Sequence, residues 1–204
     1  MKKRNFKIIC VTNRQLCEED FSCRLRKIVN AEPDAVILRE KDLPREEYLA
    51  LARQAQAICQ ENGVPCIWHT YYNEETDFLH LPLPLWLCRQ GSLPKFHEIG
   101  VSCHSLAEVL EAVKLGCTYV TAGHIFATAC KDGLPGRGLD FLRQVCDAEE
   151  VRAAGLPVYA IGGINAENIG QIKQAGAQGA CLMSSFMTCA SPAALMAELR
   201  QAAD

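Results

Sequence analysis

The chain has 204 residues, with 21 Lys and Arg against 24 Asp and Glu and a formal charge of −3. A chain of this length buries about 70% of the surface its unfolded form exposes, so it needs no disulfide or metal staple to fold. Near-balanced charge with no block of five like charges excludes a nucleic-acid coat protein and a polybasic membrane binder.

The basic start, Met1-Lys2-Lys3-Arg4, is followed by an apolar run of only Ile8 to Val11, too short for a signal-peptide core or a membrane span. A soluble, cytoplasmic protein is expected. Twelve cysteines lie between Cys10 and Cys189, and no two form Cys-x-x-Cys. Cys10, Cys59, Cys146 and Cys181 stand where Val or Ala would serve, so they read as reduced packing thiols. Cys103 and Cys130, near polar residues at the ends of predicted strands, are set apart.

In chain order, β-rich runs fall at residues 7–13, 34–39, 65–70, 78–81, 98–103, 119–126, 157–164 and 179–183. Several are almost continuously apolar, as parallel strands covered on both faces are. Pro44 opens a helix whose stripe runs through Tyr48, Leu51, Ala52, Ala55 and Cys59 to a stop at Gly63. After the fifth strand, Ser105 and Glu108 form a capping box, Leu106, Val109, Leu110 and Val113 make one face, and Gly116 offers the stop. Asn165, Ile169, Ile172 and Gly176 repeat this plan directly after the seventh strand. Only residues 71–77 join the third and fourth strands. That is too few for a helical crossover, yet enough at roughly 24 Å fully extended to run back along a short strand. Pro82 and Pro84 then argue against a regular helix start. The pattern predicts a single domain over residues 1–204, an α/β (β/α)8 TIM barrel with a shortened β3–β4 region.

In such a barrel the active site lies at the carboxyl ends of the strands. Those places offer Asn13 and Arg14; Arg39, Glu40 and Lys41; His69 and Thr70; His80; Ser102 and His104; His124; Gly162 and Gly163; and Ser184 and Ser185, with Lys131 on the loop after the sixth strand. Gly162 and Gly163 let backbone amides approach an anion, and Ser184 and Ser185 add donors one unit later, so these four are the candidate phosphate site. His124, at the end of the sixth strand, is the candidate proton-transfer group if its ring faces the mouth, because an unperturbed imidazole titrates near pH 6.5. Arg39, Lys41, Ser102, His104 and Lys131 are candidate substrate contacts, and Arg137 on the glycine-rich 128–138 loop is a further cation within reach. Carboxylates suited to a metal are scarce: Glu40, and the 74–77 loop with Glu74, Glu75 and Asp77. No metal site is expected.

Residues 100–108, from Gly100-Val101-Ser102 to the Ser105–Glu108 box, followed by Thr121-Ala122-Gly123-His124-Ile125-Phe126, Leu134-Pro135-Gly136-Arg137-Gly138 and Ile161-Gly162-Gly163-Ile164, resemble the thiamine phosphate synthase/TenI superfamily. The match is dense from about residue 97 to 190. It thins over the first strands, at Cys10-Val11-Thr12-Asn13-Arg14 and Leu38-Arg39-Glu40-Lys41. On the run Gly123 to Phe126 and the loop Cys130 to Gly138, the sequence is more similar to the TenI branch, the thiazole tautomerases. That resemblance implies a thiazole phosphate tautomerase of thiamin biosynthesis. His124 would assist a proton shift on a carboxythiazole ethyl phosphate, and no cofactor would be needed.

The sister activity, thiamine phosphate synthase, joins hydroxymethylpyrimidine diphosphate to thiazole phosphate with magnesium, and is the alternative. Its pattern has an Asn-Asp pair after the third strand and Gly-Gln-x-Asp after the fourth, where this chain reads Trp68-His69-Thr70 and Leu81-Pro82-Leu83-Pro84. A non-catalytic, regulatory binder of a phosphorylated ligand is the second alternative. The expected partner is a small phosphorylated thiazole, with no nucleic acid or membrane and with a homodimer left open.

Overall fold

Eight parallel strands close in sequential order into a barrel: β1 (Lys7–Val11), β2 (Ala35–Leu38), β3 (Cys66–His69), β4 (Phe78–Pro82), β5 (Glu98–Cys103), β6 (Tyr119–Gly123), β7 (Val158–Ile161) and β8 (Gly179–Leu182). The structure is a computed structural model that describes residues 5–89, 92–128 and 133–204. Among these residues the helices are α1 (Phe21–Asn30), α2 (Arg45–Gln60), α3 (Leu83–Cys88), α4 (Leu106–Lys114), α5 (Gly138–Asp147), α6 (Glu149–Ala153), α7 (Ile169–Gln174), α8 (Ser184–Thr188) and α9 (Pro192–Ala203). The fold is the predicted α/β barrel, and no helix among the described residues is long and apolar enough to cross a membrane.

Alternation along each strand divides the apolar residues between two cores. Ile8, Cys10, Val36, Leu38, Trp68, Leu79, Val101, Val120 and Ala160 join the layer packed against the helices. Ile9, Val11, Ile37, Ile67, Tyr119, Tyr159 and Cys181 fill the barrel. The inner layer is built from unequal partners. The Tyr119 and Tyr159 rings lie 5.2 Å apart between centroids, and glycines make their space. A Cβ on Gly100 would stand 2.0 Å from Tyr119 Cζ, and one on Gly179 would stand 3.0 Å from Tyr159 Cδ1. Large residues facing small ones are how a narrow barrel interior reaches close packing.

Several expected boundaries move, each for a local reason. The sixth strand stops at Gly123, not at 126, and His124 follows through a cis peptide. The seventh stops at Ile161, not at 164, because Gly162 (φ 103°) and Gly163 (φ 65°) leave the extended region. The prolines do not prevent a helix after β4. Pro84 sits in the first turn of α3, where its missing N–H has no partner to lose. On α2 the buried face includes Leu49 and Ile58 in place of Leu51. In the α4 box the Ser105 hydroxyl accepts from Glu108 N, while the Glu108 carboxylate takes the amide of His104, one residue before the expected one. Asn165 caps a turn ahead of α7, accepting from the amides of Glu167 and Asn168, and α7 itself starts at Ile169. Residues 71–77 hold no helix; Asn73 and Thr76 bond each other across a turn.

The Tyr119–Gly100 fit yields a prediction. Gly100→Ala should destabilise the protein by about 1–3 kcal/mol through overpacking, read as a fall in the urea midpoint. The same change in a Tyr119→Leu background should cost clearly less, and equal costs would show that the two positions are not coupled.

Candidate active site

Above the tyrosine layer the inward positions turn polar. His69 and His80 on β3 and β4 stack with centroids 5.8 Å apart, and Ser102 and Thr121 follow on β5 and β6. The side chains are tied into one network. His80 Nδ1 is 3.0 Å from Tyr119 Oη, His80 Nε2 is 2.7 Å from Ser102 Oγ, and Thr121 Oγ1 is 3.4 Å from Ser102 Oγ. Behind them Tyr48 of α2 braces the strand ends, its hydroxyl donating to the Leu38 carbonyl and accepting from the His69 amide. Burial, followed by the charge of Arg39, pushes the His80 imidazole down to about 3. Burial, His80 and then Arg39 and Lys41 hold His69 well below the ordinary range. The floor is therefore neutral at physiological pH.

This floor belongs to a cavity of about 470 Å³ at the carboxyl ends of the strands, and its wall includes Arg39, Lys41, Ser102, His104, His124, Gly162, Gly163, Ser184 and Ser185. Nine of the ten candidate residues thus meet in one place. The tenth, Lys131, lies outside the described residues, as does Cys130. His69 and His80, offered at strand ends but given no role, line the cavity too, as do Thr121 and Asn165, which were not offered there. The signal for the two histidines was their strand position: each stands an even number of residues from an inward apolar residue, Ile67 and Phe78.

The ring nitrogens of two histidines are assigned by their partners. His104 Nδ1 is 2.8 Å from the Gly123 carbonyl, and His124 Nε2 is 3.3 Å from that of Leu134. A carbonyl only accepts, so these nitrogens carry protons; in a neutral ring the other nitrogen, Nε2 of His104 or Nδ1 of His124, is an acceptor. Arg137 departs from expectation. It donates through Nε to the Gly123 carbonyl and through its amide to that of His124, and its guanidinium lies over Phe141, so it fastens the loop and does not reach toward an anion. The two glycines have a packing reason of their own. A Cβ on Gly162 would stand 2.3 Å from His124 Cβ, and one on Gly163 2.5 Å from the Ala127 carbonyl. Cys103 is buried facing the helices and does not line the cavity. Burial pushes its thiol up, so the separate status given to it falls.

The segment after β2 alternates in sign. Arg39 and Lys41 line the cavity, whereas the carboxylates between and after them face the other way. Glu40 accepts from the Thr12 hydroxyl at 2.6 Å and from the Arg14 amide at 3.0 and 3.1 Å. Asp42 accepts from the Arg14 guanidinium at 2.7 Å and from Gln15 at 3.1 Å. Burial raises the Glu40 carboxyl above its usual range although Thr12 and Arg14 oppose this. Arg14 draws Asp42 below its own range. Glu75, on the β3–β4 connection, is paired with Arg53 on the outside. Among the described residues no carboxylate lines the cavity, and none form a cluster of three His, Cys, Asp or Glu suited to a metal. The donor set therefore does not fit the magnesium of the synthase pattern, since a hard cation of this kind needs carboxylate or carbonyl oxygen.

A family profile described as "Thiamine monophosphate synthase" matches residues 8–186. The chain belongs to the thiamine monophosphate synthase family. A member named thiamine-phosphate synthase from Syntrophomonas wolfei is 33% identical over 210 aligned residues, covering 98% of each chain. One of the same name from Fusobacterium nucleatum is 29% identical, covering 92% of each. Among solved structures, the thiamine phosphate pyrophosphorylase of Pyrococcus furiosus superposes with a TM-score of 0.80 at 25% identity, over 98% of this chain and 96% of that one.

These relatives overturn the tautomerase reading. They carry the name of the transferase, so the isomerase expectation is replaced by the stated alternative. The motifs that suggested the TenI branch, at Gly123 to Phe126 and up to Gly138, lie inside the stretch matched by the synthase family profile. They position the β6 loop against Gly162 and Gly163, a packing need that does not depend on which reaction the mouth performs.

The neutral floor has a measurable consequence. Folding excludes the His80 proton, so the unfolded state binds more protons below its own pKa near 6.5. Stability from this group is complete above that pH and is lost on acidification, by up to about 1.4 kcal/mol per pH unit. Urea unfolding between pH 6.5 and 5 should therefore show a shallower pH slope in His80→Gln than in the parent. Parallel slopes would mean that His80 titrates normally.

Proposed function

We propose that the chain is a transferase of the thiamine-phosphate synthase type, joining hydroxymethylpyrimidine diphosphate to a thiazole phosphate and releasing pyrophosphate. The observation that carries this reading is the charge of the cavity. It gathers Arg39 and Lys41, the backbone of Gly162 and Gly163 and the hydroxyls of Ser184 and Ser185 around one volume, with no carboxylate among the described residues of its lining. A reaction between two anionic substrates needs such a place, and the names of the relatives supply its chemistry.

In this reading Gly162, Gly163, Ser184 and Ser185 hold the thiazole phosphate, and Arg39 and Lys41 meet the diphosphate. The imidazole and hydroxyl floor carries the rings, with Ser102 oriented by His80. The thiazole nitrogen gives its lone pair to the methylene carbon of the pyrimidine while the carbon–oxygen bond to the diphosphate breaks, its electron pair leaving on oxygen. No proton is transferred in that exchange, so His124 is assigned to holding substrate through Nδ1 and not to acid–base catalysis. Arg39 and Lys41 stabilise the charge that grows on the leaving group, the kind of electrostatic help that is strongest in a preorganised site.

Incubation with both substrates should give thiamine phosphate and pyrophosphate in equal amounts. Arg39→Gln should lower kcat/KM by roughly 10- to 100-fold, as for the loss of one charge-assisted hydrogen bond of about 1.5–3 kcal/mol. His124→Gln should cost less than the 10²–10⁴-fold typical of a lost acid–base group. Absence of product from the folded parent enzyme would refute the transferase assignment, and a loss above 10²-fold in His124→Gln would restore a proton-transfer role.

A further inference from the structure

We infer that this site binds the diphosphate of its substrate as a free anion, with Arg39 and Lys41 holding it in place of a divalent cation. The identity of the anion rests on the transferase reading above; the mode of binding rests on the side chains themselves.

The strand ends from which a metal would be held offer no suitable oxygen. At the carboxyl end of β3 stands Thr70, whose hydroxyl is 2.8 Å from His69 Nδ1. At the end of β4 stands Pro82, and the lining from these two strands is His69, His80 and Pro82. The carboxylate between the two cations, Glu40, is engaged. Turning it toward the cavity would break its bonds to the Thr12 hydroxyl and the Arg14 amide and would leave Thr12, which is fully buried, without that acceptor. Unpairing a buried polar group is costly before any metal is bound. Asp42 is held on the same outer side by Arg14 and Gln15. A dication placed in this mouth would meet two cationic side chains and neutral imidazoles, with no fixed negative charge from the described residues to offset the repulsion. A diphosphate meets the reverse situation: two positive side chains face it, and both neighbouring carboxylates point elsewhere.

Inorganic pyrophosphate, titrated calorimetrically into the full-length protein, tests this in buffer stripped of metal over a chelating resin and again with excess Mg²⁺. Binding in the stripped buffer should be at least as tight as with Mg²⁺, and Arg39→Gln and Lys41→Gln should each weaken it by more than about tenfold. Unchanged thermal unfolding will show that these variants are folded. Binding that appears only with Mg²⁺, binding indifferent to both variants, or no binding in either buffer would overturn the inference. The transferase reading fails separately. Metal-free pyrophosphate binding without coupling of the two substrates keeps this inference and refutes that reading, and coupling that requires Mg²⁺ does the opposite.

Discussion

The depth and chemistry of the mouth depend on how the barrel interior is plugged. Tyr119 lies across the bare backbone of Gly100, and Tyr159 packs beside it against Gly179. With those rings filling the waist, the next inward side chains rest on a hydroxyl and not on hydrocarbon. The Tyr119 hydroxyl is the group that His80 Nδ1 meets, and through His80 it fixes the Ser102 hydroxyl. A core-packing solution thereby becomes the polar floor of a binding site. Burial at that depth keeps both floor imidazoles uncharged, so the positive charge of the mouth comes from the rim.

The rim is the second determinant. Arg14 helps hold the buried Glu40 and the exposed Asp42 away from the cavity, and Tyr48 clamps the ends of β2 and β3 from behind. As a result the cations after β2 face the cavity. The loop after β6 is fastened by Arg137 to the Gly123 carbonyl, which His104 also takes. The wall opposite the floor is thus set by backbone bonds as much as by side chains that meet a ligand.

Much of this was legible in the sequence. Strand and helix signals alternate along the chain, and the Ser105 cap and Gly176 stop do what those residue types do elsewhere. Polar residues at strand ends could be gathered into one place because a parallel barrel sends every such end to the same face. What the sequence concealed were direction and partnership. Glu40 and Lys41 are adjacent in the chain, and only the Thr12 and Arg14 contacts reveal that they point apart. Arg137 reads as a loop cation until its carbonyl partners are known. His69 and His80 stand at strand ends in the sequence, but that they meet each other emerges only when β3 and β4 are paired at that level. The choice of branch failed for a related reason. The β6 motif records how Gly162 and Gly163 pack under His124 and Ala127, and such a requirement says little about which substrate sits above.

The alternation Arg39-Glu40-Lys41-Asp42 carries one more implication. Removing the first of these four would slide the acids into the inward slots and place the lysine against Thr12. A site that welcomes anions and one that welcomes metal ions are then separated, at this rim, by a single codon's length of phase rather than by a change in composition. Polarity here is a property of the frame in which the segment is read by the fold.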